Sequence, residues 1–226
     1  EGFEIFGANI ACLLEFEVGK DEEIIVKTGI SAVDTEGAVS NLKTEMPGWD
    51  FTLAAAEARQ MWQERLSVID AGSFDSQTDT VFYTALYHSM IAPNLYSDAD
   101  GRYRGTDLEI HSADGYTNYT VFSLWDTYRA AHPLFTITAP DMVPDFINTM
   151  LHIYMEQGKL PVWSLTGNET NCMIGYHAVP VIADAIHKDF NGFDRELAFE
   201  ASVHSANMDF RGLKHYREYG YITSDL

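Results

Sequence analysis

The 226-residue chain is short of cysteine, short of positive charge and without any long apolar run. Its two cysteines, Cys12 and Cys172, lie far apart, with no C-x-x-C pair and no zinc-type spacing, which argues against a disulfide framework or a structural zinc site. Cys12 instead reads as a core thiol. Only 14 basic side chains stand against 34 acidic ones, and no basic cluster offsets the resulting net charge of −20. Such a surface repels phosphate backbones, so no nucleic-acid partner is expected. No segment approaches the ~18 apolar residues of a membrane-spanning helix, and no transmembrane segment is expected in this chain. The opening Glu1-Gly2-Phe3-Glu4 lacks the basic start and apolar run of a signal peptide. What the chain does have is 46% hydrophobic residues, enough to fill a core. Its acidity suits a secreted or periplasmic protein, and one that uses calcium.

Two β-rich runs open the chain. Leu14, Phe16 and Val18 alternate with polar residues, Gly19-Lys20-Asp21 makes a turn, and 23–28 continue in the same character. Two or three strands form no stable sheet alone. Residues 1–34 are therefore read as the tail of a larger β domain, and the chain as a piece of a longer protein. A short polar helix is expected over 35–46, within a linker at 35–50 that Pro47-Gly48 interrupts. From there the periodicity is helical. Phe51, Ala54, Ala58, Met61, Trp62, Arg65, Leu66 and Ile69 form one stripe, and 79–91 place Val81, Phe82, Ala85, Leu86 and Ser89 on a buried side. Residues 94–121 read as an extended hairpin insertion. Further helices are predicted over 122–137, from near Pro140 to Gly158, and over 172–187 and 194–206. The fold class is mainly α. Helices joined by irregular loops point to an α/α toroid, although no sequence repeat is visible.

Three segments combine aromatic, acidic and amide residues. In 119–129, Trp125 and Arg129 would share a helical face and Asp126 and Arg129 could pair. A Trp face stacks on sugar C–H groups, and an ionised Asp accepts hydroxyl hydrogen bonds. A core Trp with a surface ion pair explains the same spacing. In 160–177, Glu169 is either a helix-start carboxylate or a pocket group, and His177 either a core histidine or a pocket group. Asp184, further on, is expected to join two helices by a hydrogen bond. In 96–107, Asp98-Ala99-Asp100-Gly101 hints at calcium but lacks the Gly and Glu positions of an EF-hand loop, and reads as a hairpin turn.

At these residues the sequence resembles glycoside hydrolase family 92. Phe82-Tyr83-Thr84-Ala85-Leu86-Tyr87-His88, the stretch 97–105 and Phe122-Ser123-Leu124-Trp125-Asp126-Thr127-Tyr128-Arg129 match the family's pattern. So do Gly167-Asn168-Glu169-Thr170 through His177, Val181 to Ala185, and His215-Tyr216 through Gly220-Tyr221. The resemblance implies a β-sandwich followed by an (α/α)6 barrel. Residues 1–34 would be the last strands of the sandwich, 35–50 a linker helix, and 51–226 the first part of the barrel. It further implies a bacterial, periplasmic or extracellular exo-α-mannosidase acting on mannose-terminated glycans with inversion and with Ca2+. Trp125, Asp126, Arg129, Glu169 and His177 would line the sugar pocket, with Glu169 binding hydroxyls or ordering its loop. The acid and base carboxylates are expected downstream, so none is assigned in this chain, and no calcium ligand is assigned either. Alternatives are another (α/α)6 hydrolase or phosphorylase, or a non-catalytic glycan-binding module.

Overall fold

The computed structural model describes residues 7–72 and 75–224. Its elements begin with three helices, α1 (Thr35–Glu45), α2 (Phe51–Leu66) and α3 (Ser76–Ser89). Short strands follow: β1 (Asn94–Leu95), β2 (Arg102–Arg104), β3 (Ile110–Ser112), β4 (Tyr119–Thr120) and β5 (Phe122–Ser123). Then come α4 (Leu124–Thr127), α5 (Ala131–Thr138), α6 (Val143–Gln157), β6 (Trp163–Ser164), α7 (Ala178–His187), α8 (Arg195–Asn207) and α9 (Leu213–Tyr219). The helix-rich character is as expected. No helix among the described residues is long and apolar enough to cross a membrane.

Aspartates start several helices. Asp34, Asp50, Asp75 and Asp194 each accept hydrogen bonds from backbone amides of the first turn of α1, α2, α3 and α8. These amides have no partner inside the helix, and a carboxylate also complements the helix dipole. The same bonds hold the Asp34 and Asp75 carboxyls below the usual carboxylate range; for Asp34 the Gly37 amide is the largest cause, for Asp75 the Thr78 amide.

The core lies at α5 to α8. Helix α6 supplies Val143, Phe146, Ile147, Met150, Leu151 and Tyr154 to it, and ends at Gly158 in the left-handed region at φ 79. Pro144, rather than Pro140, occupies its first turn, because the helix begins three residues later than the sequence pattern placed it. Ala178 and Ala185 of α7 and Ala198 and Ala201 of α8 are fully or almost fully buried, and their small side chains let these helices approach α6 closely.

Several expectations need correction. Residues 7–33 form no strand: they are extended and mostly exposed, since a strand requires a hydrogen-bonded neighbour and none is present among the described residues. Residues 1–6 of that expected segment lie outside the described residues. Cys12 is exposed with them and is not a core thiol. Helix α2 buries none of its residues, and Phe51 and Met61 are 73% and 69% exposed. Part of its stripe (Ala58, Met61, Trp62 and Arg65) lines a cavity of about 420 Å3 together with Phe135, Ala139, Met142 and Phe146. In α3, Leu86 is buried but Val81 and Ala85 are exposed. The helix expected over 122–137 is instead β5, a single turn of α4, and α5, and the one expected over 172–187 begins only at Ala178.

The hairpin insertion is present and nested. β1 pairs with β4 (Asn94↔Thr120, Leu95↔Tyr119), and inside it β2 pairs with β3 (Tyr103↔His111). Glu156 of α6 fastens the inner hairpin. It accepts from the Tyr103 hydroxyl at 2.9 Å, the Thr106 amide at 2.8 Å and the Thr106 hydroxyl at 3.0 Å. Tyr116 donates in turn to the Tyr103 hydroxyl, and burial pushes the Tyr116 phenol up to about 12. At the other end, the turn expected at Asp98 forms, with the Gly101 amide donating to the Asp98 carbonyl at 2.9 Å. The Asp98 carboxylate is buried and accepts from Ser31 Oγ at 2.6 Å and Asn41 Nδ2 at 2.8 Å, tying the hairpin to α1.

Candidate functional site

The chain reverses sharply at Val121, a β-branched residue at φ 65, where sterics disfavour it. The reversal releases the backbone from β1 and hands it to β6, so that β5 pairs antiparallel with it at Phe122↔Ser164 and Ser123↔Trp163. Residues directly opposite in such a pair present their side chains on one face. Two segments distant in sequence, 119–129 and 160–177, thereby share an edge.

The second segment is a tight hairpin rather than an irregular loop. Leu165 and Asn168 exchange both backbone hydrogen bonds, and the two residues between them, Thr166 and Gly167, have φ 46 and 67. Positive φ at both central positions is the type I′ signature, whose twist matches that of paired strands. Gly167 also sits where a side chain has no room. A Cβ there would lie 2.6 Å from the Arg104 carbonyl oxygen and 2.9 Å from the Tyr96 hydroxyl. The third segment, 96–107, is thus packed beneath the same turn.

Glu169 is held by the backbone. Its Oε2 accepts from the Val162 amide at 2.8 Å, and its Oε1 from the amides of Trp163 at 2.9 Å and Asn171 at 2.8 Å. Of the two roles expected for it, these bonds are those of a group that orders its loop. Lys159 and Arg211 brace the loop further, Lys159 by a contact with the Asn171 side chain and Arg211 by donating to the Met173 carbonyl at 2.7 Å.

The expected pairing of Asp126 with Arg129 is absent. Helix α4 ends at Thr127, so the spacing that would align the two side chains is not sustained. Arg129 instead donates to the Tyr128 hydroxyl at 3.0 Å and lies over that ring, and for the same reason it does not share a helical face with Trp125. Asp126 accepts a hydrogen bond from Ser123 Oγ on its Oδ2, while Oδ1 has no protein donor among the described residues. Trp125 is 44% exposed beside it. His177 meets Tyr128 at 4.4 Å between ring centres, and its Nδ1 is buried with no hydrogen-bond partner among the described residues. Tyr128, which the sequence offered only as part of a string, therefore joins Arg129 to His177. Asp184 lies apart. It pairs with Lys188 one turn along α7 at 2.7 Å, and it is Lys188 that reaches α5 by donating to Thr136 Oγ1 at 3.0 Å, so the helix-to-helix bond is not made by Asp184 directly.

Among the described residues no three His, Cys, Asp or Glu side chains gather as a metal site. A second cavity of about 640 Å3 lies between 28–32, α1 and the base of the hairpin, with Asn41, Tyr96, Asp98 and Arg104 in its wall. None of Trp125, Asp126, Arg129, Glu169 or His177 lines either of these two cavities.

Residues 37–225 match the glycosyl hydrolase family 92 catalytic domain. Among solved structures, the chain is similar to a family GH92 α-mannosidase of Bacteroides thetaiotaomicron, with 46% identity and a TM-score of 0.81 over 85% of this chain and 26% of that one. A complex of that α-mannosidase with mannoimidazole matches at 45% identity and a TM-score of 0.81, over 85% of this chain and 25% of the other. A family GH92 inverting mannosidase from the same species matches at 27% identity and a TM-score of 0.79, over 86% of this chain and 28% of that one. The chain thus spans about a quarter of the length of these relatives. No curated protein matches it.

Proposed function

The chain belongs to glycosyl hydrolase family 92, and on that premise we propose that it is part of an exo-acting enzyme that removes terminal α-linked mannose, α-1,2-linked in particular, with inversion. The observation that carries this reading is the β5–β6 pairing, which brings Trp125 and Asp126 to one edge with the 160–177 hairpin. The partly exposed Trp125 ring offers a face to sugar C–H groups. Asp126 offers an acceptor oxygen to mannose hydroxyls, and an ionised carboxylate discriminates against analogues lacking them. His177 and Arg129, both against Tyr128, complete the wall, and Glu169 keeps the hairpin in place behind it.

The longer protein is proposed to join a β-sandwich to an (α/α)6 barrel. The acid and the base of an inverting pair, which stand ~6.5–9.5 Å apart to admit a water, belong to parts outside this chain. Calcium needs six to eight oxygen ligands, and the side chains described here do not supply a cluster for it. No ligand of the proposed ion and no step through it is assigned in this chain. Mannose-terminated glycans are the proposed substrates, met in the bacterial periplasm or outside the cell.

Hydrolysis of α-1,2-mannobiose by the longer enzyme, followed by proton NMR of the fresh product, tests the reading. β-Mannose is expected first, with activity lost on chelation and restored by calcium. α-Mannose appearing first would overturn inversion, and full activity in chelator would overturn the calcium requirement.

A further inference from the structure

We propose that Ser123 is a positioning residue for the sugar-binding carboxylate of Asp126, an inference that rests on the reading of Asp126 given above. Ser123 occupies the N-cap place of α4, where a serine hydroxyl ordinarily accepts a hydrogen bond from an amide of the first helical turn. It makes no such cap. Its Oγ instead donates to Oδ2 of Asp126, the third residue of the helix. In a capping box the acidic residue at this spacing reaches back to the backbone amide of the cap; here it reaches the cap's hydroxyl. The helix gives up a stabilising contact, and the carboxylate gains one.

The gain matters because α4 is a poor anchor. A helix of four residues is a single turn, too short to hold a side chain by its own cooperativity. Ser123 is anchored from outside that turn. Its backbone pairs with Trp163, whose amide donates to Glu169 Oε1 at 2.9 Å and whose carbonyl accepts from the Thr170 amide at 3.1 Å and the Thr170 hydroxyl at 3.0 Å. Thr127 Oγ1 donates back to the Ser123 carbonyl at 3.0 Å. The line Glu169–Trp163–Ser123–Asp126 therefore carries the rigidity of the 160–177 hairpin to an exposed carboxylate. It occupies Oδ2 and leaves Oδ1 for a ligand. Holding a binding group in one rotamer before the ligand arrives raises affinity without a new contact.

The test uses the longer enzyme with Ser123→Ala, Ser123→Thr, Asp126→Asn and the Ser123→Ala/Asp126→Asn double variant. Mannoimidazole affinity is read by calorimetry, kcat and KM on an aryl α-mannoside, and Tm by thermal scanning. Ser123→Ala is expected to weaken mannoimidazole binding and kcat/KM by about tenfold, the size of one hydrogen bond to a charged group, with Tm little changed. Ser123→Thr, which keeps the hydroxyl, should restore most of the loss. The double variant should be no worse than Asp126→Asn alone, because the serine acts only through the carboxylate. An impaired Asp126→Asn beside a normal Ser123→Ala, multiplying effects, or no rescue by threonine would overturn the positioning role and leave the sugar-ligand reading standing. Normal kinetics in Asp126→Asn would overturn both.

Discussion

Acid should loosen the helical core through His132. The imidazole is 5% exposed, stacked parallel to Phe122 and met edge-on by Phe135 and Phe146. Burial among these rings depresses its pKa from 6.5 to about 4. The folded state thus holds the neutral ring while the unfolded chain takes up a proton readily. The stabilisation is complete above pH 6.5, declines as pH falls through that value, and is fully lost below about 4. The linkage relation gives a loss of about 2 kcal/mol at pH 5, approaching on the order of 3 kcal/mol at still lower pH. Many carboxylates titrate in the same range, so the comparison must be with His132→Leu, of similar volume and no charge. Hydrogen exchange over 131–157 in the longer enzyme, read at pH 7 and pH 5, gives the opening free energy of this core locally. The wild type should lose about 2 kcal/mol more than the variant over that interval. Equal losses would refute the placement of a neutral, buried imidazole in the core.

Asp126→Asn in the longer enzyme should lower kcat/KM at least about tenfold with little change in Tm, whereas Asp184→Asn, which breaks only the pair with Lys188, should leave kinetics near normal. Glu169→Ala removes the acceptor of three backbone amides and should destabilise the 160–177 hairpin by ~3 kcal/mol or more, seen as faster amide exchange there; unchanged exchange would remove it as the loop's clamp. Glu156→Ala should free the inner hairpin from α6 at a cost of ~2–4 kcal/mol, with exchange rising over 102–112 and not in α8. The isolated chain, with Phe51, Met61, Ile30 and Leu13 exposed, should bind a hydrophobic dye and melt without a sharp transition; a sharp melt with no dye binding would show these faces to be tolerated in water.

Local chemistry was legible where local forces decide. The start of α8 at Asp194, the Gly158 stop of α6 and the hairpin insertion of 94–121 follow from side chains acting on their own backbone, which a short stretch of sequence displays in full. The family pattern could likewise be read from ordered strings such as Trp125-Asp126-Thr127-Tyr128-Arg129. What sequence alone could not reveal was which segments meet. Periodicity ran a helix through 122–137, and only the pairing of β5 with β6, 40 residues away at Ser123↔Trp163, broke it and cancelled the Asp126–Arg129 pair. Glu169 read equally as a helix-start carboxylate or a pocket group, and only the folded chain shows the amides of Val162, Trp163 and Asn171 closing on it. Asp98 read as an ordinary turn residue, yet its side chain is buried against Ser31 and Asn41, 67 and 57 positions away. Long-range partners compete for the same backbone and side-chain groups that local rules assign, and a buried group satisfied by a distant partner outweighs a propensity worth a fraction of a kcal/mol (~0.5 kcal/mol per residue). The start of α8 and the stop of α6 were written in the local sequence, and the arrangement of the candidate site was decided by contacts that only the folded chain makes.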